Sequence, residues 1–243
     1  MKRKTILIGN TRGLLSTPID LFNVAQFLMS YQGGAWEKSE IELLLDRGCN
    51  ELLLDVDRIS GEKNDYVIVY FSGHGGLQGD TILEVNPQGE LIKESSLFGL
   101  ADRQLNILDC CRIIHTTPLP IYGSSRGLNA IDWDLRDAVR TEYEELVTNA
   151  SPQLVRMYSC SEGESSYPSK QGSYYTNSLL SCAKDLLQNN NIVWVCPCHE
   201  AAAMKTADEV RRDLKENQHP EIIPAKCLSM AELPFCFNPK SLK

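Results

Sequence analysis

The chain has 243 residues and a net charge of −8, and hydrophobic residues make up 42% of it. This composition is ordinary for a globular protein with a hydrophobic core. The chain has no run of 18 apolar residues, so we expect no membrane-spanning helix. It also has no basic block, so we do not expect it to bind nucleic acid.

The N-terminal segment joins positive charge to a short apolar run that stops at Gly9. This run is too short for a signal peptide, and we interpret it as a buried strand over residues 4–9. The nine cysteines are an odd number and come without an export signal. Reduced thiols in the cytoplasm are therefore expected.

Three helices are predicted after the first strand. The first begins near Thr17, which we take as its cap, with Pro18 in its first turn. Helical patterns over residues 37–47 and 51–59 predict the second and third helices.

Two buried strands with distinctive ends follow. Residues 66–71 (YVIVYF) form a continuous apolar run, typical of a strand buried on both faces of a parallel sheet, and the run leads into Ser-Gly-His74-Gly-Gly. Residues 81–85 and 90–92 predict a hairpin. The strand at 105–108 leads into Asp-Cys-Cys111.

Residues 113–131 are rich in Thr, Pro, Ser and Gly, which predicts a long surface loop. The remaining predicted elements alternate between helix and strand: helix 133–147, strand 154–159, helix 174–187, strand 192–195, helix 200–216 and strand 233–237. The alternation predicts one α/β domain over residues 1–243, with a mostly parallel sheet of about six strands flanked by helices.

His74 and Cys111 each follow the end of a predicted sheet strand, where catalytic groups of parallel sheets gather. An imidazole beside a thiol can remove the thiol proton and later protonate a leaving amine. The backbone N–H groups of Gly75 and Cys111 could stabilise an oxyanion. These features together predict a cysteine nucleophile with a histidine base, although a simple turn histidine remains the alternative for His74.

The motifs YFSGHGG and LNILDCCR resemble those of the caspase-like superfamily, in particular its metacaspase and paracaspase branches. KTILIGN resembles the family's first strand, and YSCSEGESSYPSKQGSYYTNSLL resembles its segment after the active-site loops. The resemblance implies a caspase-like fold with Cys111 as nucleophile, His74 as base and acid, and Cys110 at a variable position. A one-residue register slip would exchange the two thiols. The Arg-Ile-Ile after Cys111 resembles paracaspases more than caspases.

The same resemblance implies the substrate specificity. Asp109, two residues before the nucleophile, would line the S1 pocket, and a carboxylate there favours Arg or Lys at P1. Asp20 and Glu164 match further acids of the paracaspase pattern. Helix capping for Asp20 and a solvated position for Glu164 remain the alternatives. Tyr167 and Tyr174 would lie beside the S2 subsite, with core packing as the alternative.

Relatives often cleave their own linker after the nucleophile strand, so Arg126 in the loop is a possible self-cleavage site, with Arg112 and Arg136 as alternatives. No calcium-binding spacing is found, and no cofactor is expected. The Cys196-Pro-Cys198-His199 motif lacks a second ligand pair, so core thiols are favoured over zinc.

The predicted function is a cysteine endopeptidase that cleaves proteins or peptides after Arg or Lys. An activating partner or a small effector would control it in a stress, cell-death or antiviral defence response, as in bacterial relatives. The alternatives are a catalytically inactive caspase-like scaffold that binds basic peptides, a metal-binding regulatory module, and a protease of different P1 preference. The oligomeric state is left open.

Overall fold

A computed structural model describes residues 1–113, 134–224 and 232–241 of the chain. Within these residues the central sheet has six strands: β1 (Arg3–Gly9), β2 (Ile41–Leu45), β3 (Asn64–Ser72), β7 (Ala101–Asp109), β8 (Gln153–Tyr158) and β12 (Glu221–Ile223). Their order across the sheet is β12-β8-β7-β3-β1-β2. All neighbours are parallel except β12, which runs antiparallel to β8. The predicted α/β fold with a mostly parallel sheet is therefore confirmed.

Three smaller sheets and five helices complete the described fold. The small sheets comprise β4 (Gly75–Leu77), β5 (Thr81–Glu84) and β6 (Leu91–Lys93), the hairpin of β9 (Pro168–Ser169) and β10 (Gly172–Ser173), and the pair of β11 (Ile192–Trp194) and β13 (Pro234–Phe237). The helices are α1 (Ser16–Met29), α2 (Cys49–Gly61), α3 (Asp134–Asn149), α4 (Tyr174–Leu186) and α5 (Val195–Leu214).

Successive side chains of β3 point to opposite faces of the sheet, and each face is covered by other elements of the fold. Tyr66 and Tyr70 enter a core shared with α1, α3, α4 and α5. Val67 and Phe71 enter a second core shared with α2 and the β4–β6 sheet. A run of apolar residues without polar alternation therefore belongs to a central strand.

The predicted helix over residues 37–47 is wrong. A 3₁₀ turn at Lys38–Glu40 precedes β2, and Glu40 closes this turn by accepting a 2.6 Å hydrogen bond from the Glu37 N–H. Ile41–Leu45 then pairs in parallel with β1. Backbone pairing along the edge of β1 stabilises this segment as a strand and outweighs its local helix propensity. A local sequence pattern contains no information about this pairing.

Thr17 does not cap α1, because the helix begins at Ser16 with Leu15 at the cap position. The Thr17 side chain is buried instead, and its hydroxyl oxygen lies 3.4 Å from that of Ser72 at the end of β3. The pattern also did not predict β12 or the β9–β10 hairpin, since very short strands carry little periodicity.

Apart from Ile113, the predicted loop 113–131 lies within residues 114–133, which are outside the described part of the chain. Among the helices that the structure does describe, none combines the length and apolarity that crossing a bilayer requires.

The buried side chain of His199 in α5 contacts Tyr175 in α4. The His199 ring is 2% exposed, and Tyr175 lies with its hydroxyl 2.8 Å from His199 Nδ1. Burial lowers the pKa of His199 from 6.5 to about 4, against an opposing contact with the Pro220 backbone. The folded state therefore holds His199 neutral at pH values where the unfolded chain binds a proton.

We predict that this histidine lowers stability as the pH falls from 6.5 to about 4. Relative to His199→Gln, the wild-type free energy of unfolding should fall by at most about 1.4 kcal/mol per pH unit across this window. Urea unfolding of both proteins from pH 7 to pH 4 measures the difference. Parallel stability curves for the two proteins would contradict the prediction.

Candidate active site

The ends of β3 and β7 lie side by side at the carboxyl edge of the sheet. Ser72 is in register with Asp109, and the Gly73 N–H donates to the Asp109 carbonyl at 3.2 Å. Further along, the Leu77 N–H donates to the Ile113 carbonyl at 3.1 Å. The two segments therefore continue together beyond the strands, and this pairing brings the chain around His74 next to the chain around Cys111.

A backbone carbonyl orients His74. Its Nε2 atom lies 2.6 Å from the carbonyl oxygen of Arg12, in the loop that follows β1. Because a carbonyl can only accept, Nε2 carries the proton of the neutral ring and Nδ1 keeps a lone pair. Nδ1 is therefore the nitrogen available as a base. Arg12 carries no signal of this role in the sequence, because a backbone carbonyl acts in the same way whatever the side chain.

The two adjacent cysteines have different surroundings. Cys110 is 1% exposed and lies in the second core, and burial raises its thiol pKa well above 9. Cys111 is half-buried, and the Ser166 N–H donates to its sulfur at 3.4 Å. Of the two adjacent thiols, Cys111 is therefore the more accessible.

The surroundings of Cys111 disfavour its thiolate form. Burial raises its pKa above 9, and the nearby Asp109 adds to the effect, although the Ser166 N–H opposes it. Among the described residues, the hydrogen bonds of the sulfur lead to Ser165 and Ser166 rather than to His74. Chemistry at this sulfur therefore requires a base and a rearrangement of the thiol.

Gly75 lies tightly against the cysteine segment. A Cβ atom at this position would lie 2.7 Å from Cys110 Sγ and 2.9 Å from the Cys111 carbonyl oxygen. Only a residue without a side chain allows the backbone after His74 to approach the cysteine segment this closely.

Two of the three predicted S1 acids lie together. Asp20 is fully buried and accepts hydrogen bonds from the Ser173 N–H at 2.7 Å and the Ser72 hydroxyl at 3.1 Å. Asp109 accepts from the hydroxyls of Ser166 at 2.8 Å, Thr176 at 2.6 Å and Ser173. Ser173 thus bridges the two carboxylates, and the buried position of Asp20 does not fit a solvent-exposed capping acid.

The surroundings of the pair do not favour negative charge on Asp20 beside Asp109. No lysine or arginine forms a salt bridge with Asp20 or Asp109 within the described ranges. Burial, and after it the charge of Asp109, raises the pKa of Asp20 well above 3.8. A cation that enters between these carboxylates would relieve both effects.

Glu164 lies apart from the other two acids. Its carboxylate accepts a 2.7 Å hydrogen bond from the His219 N–H and lies 2.6 Å from His219 Nδ1. Burial raises the pKa of Glu164, but the His219 contacts outweigh it and lower the pKa overall. The Glu164 carbonyl also accepts from the Arg112 N–H, so the residue lies next to the nucleophile segment.

The two predicted subsite tyrosines flank the β9–β10 hairpin. The Tyr174 N–H donates to the Tyr167 carbonyl at 3.1 Å, and the Tyr167 N–H donates to Gln218 at 3.1 Å. Tyr174 also lines a groove of about 720 Å³ between α1, α4 and α5. None of the residues lining this groove is His74, Cys111 or one of the S1 acids.

Two of the three possible self-cleavage sites are held by the fold. Arg112 is 3% exposed and forms salt bridges with Glu221 at 2.6 Å and Glu162 at 3.1 Å. Arg136 lies in α3 and donates to the Trp36 carbonyl. Both environments argue against cleavage there, while Arg126 lies outside the described residues.

The Cys196-Pro-Cys198-His199 motif belongs to the α4–α5 packing. The Cys198 thiol points at the Leu179 carbonyl at 3.8 Å, and His199 contacts Tyr175. No cluster of three metal-binding side chains occurs in the part of the chain that the structure describes.

Comparison with known proteins agrees with this geometry. The sequence profile of the caspase domain matches residues 2–233. The chain belongs to the caspase-domain family. The family is one of cysteine peptidases, so a cysteine at the carboxyl edge of its sheet is the expected nucleophile position.

Solved structures share the caspase fold with this chain. The crystal structure of caspase-1 from Spodoptera frugiperda superimposes with a TM-score of 0.60 at 14% identity, covering 91% of this chain and 85% of that one. A structural-genomics protein from Geobacter sulfurreducens superimposes with a TM-score of 0.59 at 13% identity, covering 96% and 97% of the two chains. No curated protein matches the sequence.

The Gly75 contact generates a testable prediction. Gly75→Ala should lower the free energy of unfolding by about 1–3 kcal/mol, because the added methyl overpacks the cysteine segment. It should also slow alkylation of Cys111. Gly61→Ala is the control, since nothing lies within 4 Å of its Cβ position. Urea unfolding and iodoacetamide labelling measure both effects, and equal behaviour of the two variants would contradict the prediction.

Proposed function

We propose that this caspase-domain protein is a cysteine endopeptidase that uses His74 and Cys111 to cleave proteins or peptides after Arg or Lys. The observation that carries the proposal is the pairing of the β3 and β7 ends, which brings the chain that carries a carbonyl-oriented histidine next to the chain that carries a half-buried cysteine. The Asp20–Asp109 pair on the same edge supports the basic P1 preference.

In the proposed reaction, His74 Nδ1 takes the proton of the Cys111 thiol, and the thiolate attacks the substrate carbonyl. The backbone N–H groups of Gly75 and Cys111 stabilise the resulting oxyanion. The imidazolium then protonates the leaving amine, and water hydrolyses the thioester. The raised pKa of the free thiol supports a role for His74 as a base at the moment of attack.

The proposed S1 pocket has Asp20 and Asp109 at its base. The guanidinium of a P1 Arg or the ammonium of a P1 Lys supplies the positive charge there. In the proposal, Glu164 forms the entrance of this pocket, and Tyr167 and Tyr174 form the next subsite. His219 holds the Glu164 carboxylate at 2.6 Å. Buried carboxylates without a partner are costly, so a bound cation would contribute strongly to affinity.

The contact of Cys111 with the Ser165–Ser166 segment supports control by an activating partner or small effector. Moving this segment would release the thiol towards His74. All eight described cysteines are free thiols, which is typical of a reducing compartment such as the cytoplasm. A metacaspase-like or paracaspase-like role in stress, cell death or antiviral defence rests on family analogy, as does self-cleavage at Arg126.

The proposal predicts covalent labelling by an Arg-terminated chloromethyl ketone. Mass spectrometry should locate the adduct on Cys111, and His74→Gln should remove it while Cys110→Ala keeps it. An Asp-terminated reagent should label far more slowly. An adduct formed by the Asp reagent alone would contradict the basic preference. A folded wild type that stays unlabelled, even in host lysate, would favour the inactive scaffold.

The buried pair also predicts proton release on binding. Because the pKa of Asp20 is raised in the free protein, a P1 cation must displace a proton at low pH and binds more tightly as the pH rises. In the Cys111→Ala background, the affinity for an Arg-terminated peptide should increase by at most about tenfold per pH unit above pH 4. Fluorescence anisotropy measures this affinity.

The control for this titration is Asp20→Asn, which should flatten the pH dependence, whereas Glu164→Gln should leave it in place. A dependence that persists unchanged in Asp20→Asn would contradict the assignment of the proton to Asp20.

A further inference from the structure

The loop between β1 and α1 supplies the carbonyl that orients His74, but it belongs to neither element. Arg12 lies in this loop, outside the hydrogen-bonding ladder of the sheet. A loop carbonyl holds a catalytic ring in one orientation only if other groups fix the loop. The hydrogen bonds around Arg12 identify these groups.

Asn10 anchors the loop from inside. It is fully buried, and its backbone N–H donates to the Ser72 carbonyl at 3.1 Å, two residues before His74. Its Oδ1 accepts from the Arg12 N–H at 3.0 Å, and its Nδ2 donates to the Glu84 carbonyl at 3.0 Å. Only this orientation of the amide satisfies both partners, because the N–H can only donate and the carbonyl can only accept.

Glu84, at the end of β5, contacts both sides of the histidine. Its backbone N–H donates to the His74 carbonyl at 3.0 Å. Its Oε1 accepts from Asn10 Nδ2 at 3.0 Å and from Arg12 Nη1 at 3.1 Å. The backbone of His74 and the loop that orients its ring are therefore attached to the same residue.

Asp46 supports the same loop through Thr11, the residue before Arg12. The carboxylate of Asp46, just after β2, accepts from the Thr11 N–H at 2.8 Å and from the Thr11 hydroxyl at 2.7 Å. The Asp46 N–H in turn donates to the Gly9 carbonyl at 2.8 Å. Asp46 therefore holds the loop through Thr11, while Asn10 and Glu84 contact Arg12 itself.

We propose that Asn10 and Glu84 are positioning residues for His74, which fix the Arg12 carbonyl and through it the orientation and protonated nitrogen of the ring. The proposal rests on the proposed function for its effect on catalysis, but the geometry it describes can be tested without any activity. Neither residue hydrogen-bonds Asp20 or Asp109, so their loss should slow the chemical step and leave substrate binding unchanged.

The test uses two variants of similar size and one control. Glu84→Gln removes the negative charge that pairs with the Arg12 guanidinium and leaves one side-chain oxygen as an acceptor. Asn10→Asp keeps the acceptor for the Arg12 N–H but loses the donor to Glu84. Glu90→Gln is the matched control, because Glu90 lies in the same hairpin and accepts instead from the Cys49 N–H at 2.7 Å and from Asn86 at 2.6 Å.

The first measurement is NMR of ¹⁵N-histidine-labelled protein, with the His74 signal assigned by His74→Gln. The wild type and Glu90→Gln should show a hydrogen-bonded Nε2–H proton at low field. In Asn10→Asp and Glu84→Gln this proton should exchange with water and disappear. The second measurement is hydrolysis of an Arg-terminated peptide, where kcat should fall roughly tenfold or more while KM changes less than about twofold.

The outcomes separate the two proposals. If the wild type cleaves no peptide but the Nε2–H signal depends on Asn10 and Glu84, the proposed function fails and the positioning role stands. If both variants keep the signal and the wild-type kcat, the positioning role is overturned. A KM increase without a kcat loss would also overturn it. Thermal unfolding identifies a variant that has not folded, and the other variant then decides.

Discussion

The parallel pairing of β3 with β7 is the interaction on which the rest of the site depends. Its register sets Ser72 opposite Asp109, and the backbone hydrogen bonds continue past the strand ends as far as Ile113. The histidine and cysteine segments are thereby placed by main-chain geometry rather than by side-chain attraction. Parallel strands that end at one edge also leave their polar residues at one place, which is why Asp109 and Cys111 lie near His74, while Asp20 reaches the same edge from α1.

Burial determines the chemistry at this edge more than any single charge does. It raises the pKa of Cys111, and it raises the pKa of Asp20 well above its usual value. Both shifts favour the protonated form of the group.

The support of His74 comes from three sequence-distant segments. The loop after β1 gives the orienting carbonyl, β2 leads to Asp46, and β5 contributes Glu84. The small β4–β6 sheet therefore has a second role besides covering the core, because it is the part of the fold that holds the histidine from the outside.

The sequence alone determined the class of fold and the two central strands, because an uninterrupted apolar run is typical of a strand buried on both faces. It also singled out His74, Cys111, Asp109 and Asp20, since polar residues directly after such strands, or within a family pattern, carry chemical information. Local pattern failed at residues 37–47, where pairing with β1 overrides helix propensity.

Only the tertiary structure decided which thiol is buried, which acids meet and what orients the histidine. Cys110 and Cys111 are adjacent in sequence, and only the β7 register separates them. Asp20 and Asp109 meet through Ser173, whereas Glu164 turns to His219. The Arg12 carbonyl has no sequence signature at all, because every residue carries the same backbone and only its position in the fold makes it functional.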